Sequence, residues 1–131
     1  MASVALTLAV SDQDLSVVRL APGAPVPAWL PTSGFTTVTR TGDELSIVCA
    51  TAAVPGDAGL VAESGWIALK LQGPFAFTLT GILASVLVPL ADAGVGIFAL
   101  STYDTDYVLV KAAQRTEAII ALRSAGHTVD G

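Results

Sequence analysis

Basic residues are scarce in this chain: six Lys and Arg stand against eleven Asp and Glu, for a net charge of −5. So few cations cannot form a stripe that neutralises a row of phosphates, which excludes nucleic acid as the expected partner and disfavours an anionic membrane surface. Cysteine occurs once, at Cys49. No intrachain disulfide can form, and the setting Ile47-Val48-Cys49-Ala50 reads as a small buried hydrophobe. Histidine also occurs once, at His127, with no Cys or His beside it, so no zinc site of familiar spacing is present. The HExxH, P-loop and GxSxG patterns are missing. The expectation is therefore a protein that is not an enzyme, with no metal and no cofactor. An uninterrupted apolar span of about 20 residues, as a membrane helix needs, is lacking as well. The most apolar stretch, Leu79 to Leu100, is cut by Pro89, Asp92, Gly94 and Gly96. Val4 to Val10 is short and has no positive residues ahead of it, unlike a secretory signal. A cytoplasmic location, with no membrane partner, is the expectation.

What the chain does have is apolar substance. Hydrophobic residues make up 53% of the 131 and charged residues only 13%, enough to fold as one compact domain or as two very small lobes. Leu15 to Leu20 reads as a first strand, followed by a loop in which Pro22, Pro25, Pro27 and Pro31 allow at most one turn of helix around Trp29. Phe35 to Arg40 and Glu44 to Cys49 flank the turn residues Thr41-Gly42-Asp43 and predict a hairpin. Residues 51–65, with four glycines or prolines among them and no sustained period, read as a connector.

The second half is more regular. Trp66 to Leu71 predicts a strand. Thr80 stands where an N-cap belongs, ahead of the helical spacing Ile82, Leu83, Val86, Leu87 and Leu90, with Gly94 as terminator. Pro89 conflicts with that helix, because it removes a backbone donor at a cost of a few kcal/mol unless something compensates. Strands are expected at Ile97 to Ser101 and Tyr107 to Lys111, a helix from Glu117 to Ala125 closed by Gly126, and a last short strand at His127 to Val129. The order β-α-β-β-α-β predicts an α+β, ferredoxin-like fold, an antiparallel sheet covered on one face by two helices. Residues 38–48 match residues 100–110 in polarity at an offset of 62, which suggests two related lobes, the first degenerate with its helices shortened to loops.

Two segments carry binding chemistry. Around Thr80-Gly81-Ile82 a helix start offers backbone N–H groups and a positive dipole end to an anion, although an ordinary capped helix gives the same pattern. The run Ser101-Thr102-Tyr103-Asp104-Thr105-Asp106-Tyr107 holds two carboxylates, three hydroxyl residues and two aromatics in seven positions; a solvated turn would also explain Asp and Thr there, but the tyrosines flanking the acids favour an ammonium group. Gly94-Val95-Gly96-Ile97-Phe98-Ala99 fits the loose dinucleotide pattern G-x-G-x-x-A, but it leaves a helix and enters a strand, the reverse of what that mechanism needs. It reads as a helix C-cap and a tight turn.

The run Leu79-Thr80-Gly81-Ile82-Leu83-Ala84, together with Gly94 to Val110, resembles ACT-domain proteins related to the CASTOR-type arginine sensors, most strongly from Trp66 to Val129. The resemblance implies tandem ACT units, a degenerate one over 1–64 and a second over 65–131. It also implies pairing with a second chain into a homodimer whose sheets extend side by side, and non-catalytic, regulatory binding of an amino acid at an interface between units. Carried over by position, Gly81 and Ile82 lie at the helix-start contact, Thr102, Tyr103, Thr105 and Asp106 line the pocket, and Gly96 and Ile97 give main-chain contacts from a partner's strand edge. Asp106 would face the ligand's cationic group and Gly81 its carboxylate. The alternative is a ligand-free dimerisation or adaptor module that regulates a partner protein.

Overall fold

The computed structural model describes residues 4–56, 60–73, 75 and 80–131. Its strands are β1 (Thr7–Leu20), β2 (Thr37–Arg40), β3 (Leu45–Ala50), β4 (Val61–Leu71), β5 (Ile97–Ser101), β6 (Asp106–Lys111) and β7 (Thr128–Asp130), and its helices are α1 (Ala84–Asp92) and α2 (Arg115–Ser124). Among the described residues no helix is long and apolar enough to cross a membrane. The chain forms two compact units, Gln13–Trp66 on the one hand and Met1–Asp12 with Ile67–Gly131 on the other. The divisions fall inside β1 and β4. Both strands run further than the sequence pattern implies: β1 starts at Thr7 rather than Leu15, and β4 takes in the last five residues read as connector.

In the larger unit β4-α1-β5-β6-α2-β7 is the ferredoxin-like order, the ACT fold, with one addition. The first residues of β1 lie between β4 and β7, running parallel to β7 with Thr7 opposite Thr128 and Ala9 opposite Asp130. Along β4 and β6, Ile67, Leu69, Leu71, Val108 and Val110 pack on Val86 and Leu90 of α1 and on Ala118 and Leu122 of α2. Their period of two against the helices' stripe makes this the core. In the smaller unit β1 pairs antiparallel with β3, Leu20 opposite Leu45, and β3 with β2, Arg40 opposite Leu45. Val18, Leu45, Ile47 and Cys49 form its core, covered by Trp29, Leu30 and Val54. No α-helix forms among that unit's described residues; the proline-rich loop supplies the cover, with the single turn expected near Trp29 closed by the Leu30 N–H on the Pro27 carbonyl.

The internal repeat is visible in the backbone, but at an offset of 61. In each hairpin the first turn residue donates to the fourth, Thr41 to Glu44 (2.9 Å) and Thr102 to Thr105 (2.8 Å). Each second strand is buried at three successive positions, 47–49 and 108–110, and then enters a 3-10 turn, Thr51–Ala53 or Ala112–Gln114. The offset of 62 is therefore one residue out. Such a slip matters in a strand, because it exchanges the two faces.

Two details of α1 depart from the sequence reading. Thr80 is not the N-cap; that position is held by Leu83, which has helical torsions and no side-chain cap bond. Pro89 does lie inside the helix, and its compensation is visible. A residue with an N–H at 89 would bond the Ser85 carbonyl. Instead Nε2 of His127 donates to that carbonyl at 2.7 Å, while Nδ1 accepts the Leu6 N–H at 3.0 Å. The buried histidine is thus a neutral imidazole with both nitrogens occupied, joining α1 to the strand edge before β1. Gly94, at φ +74°, ends α1 by letting the Val95 N–H reach back to Leu90 (2.9 Å), a left-handed cap that a side chain would strain.

Candidate functional site

The turn between β5 and β6 is tied to the end of β4. The Thr105 hydroxyl, buried, donates to the Leu71 carbonyl (2.5 Å), and the Phe75 N–H bonds the Asp104 carbonyl (2.9 Å). Gly73 permits this approach: a Cβ there would meet the Asp104 carbonyl oxygen at 2.9 Å. The Gln72 N–H donates to Thr7 (2.9 Å), whose neighbour Leu6 binds His127, which binds Ser85 in the first turn of α1. This run of bonds puts the turn 102–105 and the start of α1 at the same end of the unit.

Strand alternation then sorts the side chains. Val108 and Val110 face the helices, so Asp106 projects to that side and Tyr107 to the other. Asp106 is half-buried and accepts the Ser101 hydroxyl. A carboxylate at a core-facing strand position is costly unless it is partnered. The equivalent position in the smaller unit holds Leu45, fully buried. At the same end, the first turn of α1 has no side-chain cap, and Gly81 lies before it, exposed, at φ +78° with nothing within 4 Å of where a Cβ would be. Ile82 packs on the core and its carbonyl accepts the Ser85 hydroxyl (2.7 Å). The Ser85 and Val86 N–H groups bond the Gly81 and Leu83 carbonyls (both 3.0 Å), so the arrangement offers the positive end of the helix dipole and a carboxylate toward one end of the helical layer.

The other side of the turn carries a cavity of about 200 Å³, lined by Lys70, Gln72, Gly73, Thr102, Asp104, Thr105 and Tyr107. Of the run singled out in the sequence, this cavity gathers Thr102, Asp104, Thr105 and Tyr107, and of the residues carried over by resemblance Thr102 and Thr105. Thr105 serves there by position, since its hydroxyl is committed to Leu71. Lys70, Gln72 and Gly73 were not foreseen; the alternation of Lys70 against Leu69 and Leu71 was the available signal. Tyr103, 81% exposed, projects from the tip. Gly96 and Ile97 lie at the opposite end of β5, where Ile97 pairs with Val110 while Ser101 pairs with Asp106. Four residues of strand separate them from the turn by about 13 Å. Within one copy of the chain they do not meet Asp106.

A family model described as an ACT domain, ACT_7, matches residues 61–124, and a model of an N-terminal domain matches residues 13–57. The crystal structure of protein Atu0741 from Agobacterium tumefaciens is 39% identical, with a TM-score of 0.90 over 97% of this chain and 93% of that one. The cytosolic arginine sensor for mTORC1 subunit 1 of Bos taurus is 41% identical over 56 residues, 39% of this chain. The matched stretches span only 17% to 35% of the curated relatives. The ligand-free regulatory subunit of aspartate kinase from Thermus thermophilus shares the fold, with a TM-score of 0.63 at 14% identity over 90% of this chain and 95% of that one.

Proposed function

Because this chain belongs to the ACT-domain family and is of the CASTOR type, we propose that it is a non-catalytic regulatory protein that binds an amino acid at the turn 102–106. Asp106 takes the ligand's cationic group, and the backbone at Gly81 and Ile82 takes its carboxylate. Tyr103 closes over it from the tip of the turn, and Thr102, whose hydroxyl donates to the Thr105 carbonyl, and Thr105 hold that turn in place. Gly96 and Ile97, being remote within one copy, contribute from the strand edge of a second copy, so the working form is a homodimer, acting in the cytoplasm. The observation that carries this reading is Asp106 itself, a carboxylate on the core-facing side of β6 at the same end of the unit as a helix start without a side-chain cap. An opposite charge brought to that half-buried carboxylate is worth more than the same pair in open water. The CASTOR-type relative named for arginine supports a basic amino acid as the ligand.

Isothermal titration of the full chain with each of the twenty amino acids tests the reading. The expected outcome is heat with a basic amino acid, lost in Asp106→Ala. Silence with all twenty at about 1 mM, a concentration that detects binding as weak as about −4 kcal/mol, overturns it in favour of an adaptor without a ligand.

A further inference from the structure

In the smaller unit, the end of β1 meets the turn Thr41–Glu44 as the end of β4 meets Thr102–Thr105. Leu20 pairs with Leu45 beside the first turn, as Leu71 is bonded to Thr105 in the second. One residue before each leucine stands a cation, Arg19 or Lys70, and the third residue of each turn is an aspartate, Asp43 or Asp104. Each place has a cavity. The one in the smaller unit measures about 490 Å³, and Arg19, Leu20, Ala24, Asp43, Leu60 and Val61 are among its walls. Its rim is fixed by Arg40, whose guanidinium donates to the Pro22 carbonyl.

The two cavities differ in their linings. Lys70 and Asp104 are accompanied by Gln72, Thr102 and Tyr107, whereas Arg19 and Asp43 are accompanied by aliphatic side chains. Among the described residues neither the Arg19 guanidinium nor the Asp43 carboxylate has a hydrogen-bond or ion-pair partner. A cation and an anion share one cavity without pairing each other, beside exposed apolar surface. A lone anion would meet Asp43, and a lone cation would meet Arg19. A molecule bearing both charges and a hydrocarbon tail satisfies all three features.

We propose that this cavity is a second binding site, for an α-amino acid with an aliphatic side chain. The Arg19 fork takes the carboxylate by paired hydrogen bonds, Asp43 takes the ammonium, and Leu60 and Val61 enclose the side chain. The site is built from one copy of the chain and does not depend on the reading of Asp106.

Methyl-detected NMR of the full chain titrated with L-leucine tests it. Saturable shifts are expected at the Leu60 and Val61 methyls, weakened at least about tenfold in Arg19→Met and in Asp43→Asn, whose exposed side chains can be changed without touching the core. The analogue 4-methylpentanoate, which lacks the ammonium, binds at least about tenfold more weakly than leucine. The proposal is overturned by the absence of saturable shifts at about 10 mM leucine, by shifts that survive Arg19→Met in a variant of unchanged melting temperature, or by shifts confined to Ile82 and its surroundings. The last result would leave the Asp106 site standing and remove this one.

Discussion

The turns 41–44 and 102–105 share a backbone frame and differ in what they hold. Both are closed by the same hydrogen bond, lead into strands buried at the same three positions, and pass into 3-10 turns of the same length. The contents diverge at the residue after the turn, Leu45 in one and Asp106 in the other, and at the strand end facing it, Pro22 in one and Gly73 in the other. In the first unit the frame is completed by a hydrocarbon and is structural. In the second the same place holds a charge that the core does not need. A repeated fold thus shows which residues the architecture requires, and the exceptions mark candidate function.

Exchanging the two residues after the turns should give the largest effect. Leu45→Asp buries an unpartnered carboxylate in a closed apolar cluster and should cost more than about 3 kcal/mol in urea unfolding, whereas Asp106→Leu should leave stability unchanged or raised while abolishing amino-acid heat. Equal losses from the two changes would show that Asp106 is structural too. Next comes a pair of glycines. Gly73→Ala forces a Cβ against backbone and should cost about 1–3 kcal/mol, while Gly42→Ala, with open space around it, should cost less than about 0.5 kcal/mol. Thr105→Val keeps the shape but orphans the Leu71 carbonyl; about 1 kcal/mol is expected, with faster hydrogen exchange in the β5–β6 turn. The smallest effect concerns Cys49, whose counterpart in the repeat is Val110. Burial pushes its thiol above the ordinary range of a free cysteine, so the folded chain favours the neutral form. That contribution is complete below about pH 9 and fades as pH rises through the folded value. Wild type should therefore lose stability relative to Cys49→Ala only on the alkaline side.

Much of the second unit was legible because its signals are local. The limits of β5 follow from Gly94-Val95-Gly96 before it and Thr102 to Thr105 after it, and the end of α1 from Gly94. What was illegible depended on partners distant in sequence. Thr80 looks like a cap, but the helix starts only where Leu83 and Ser85 find the core and His127. The insertion of β1 beside β7 is a pairing that no window of sequence contains. Of the site, the turn 102–106 could be read from its composition. That Asp106 and Tyr107 look to opposite sides, and that Lys70 joins the latter, required the register of the sheet.

Pro89 and His127 also make one practical point about this chain's tolerance of change. The helix is short of one donor, and the ring supplies it from outside. Replacing His127 alone strands both a carbonyl and an amide. Restoring an ordinary residue at 89 gives the carbonyl a rival partner and loosens the ring's hold. The two positions are therefore bound to drift together, and a designer who alters either should treat them as a single locus, with Leu6 as its third member.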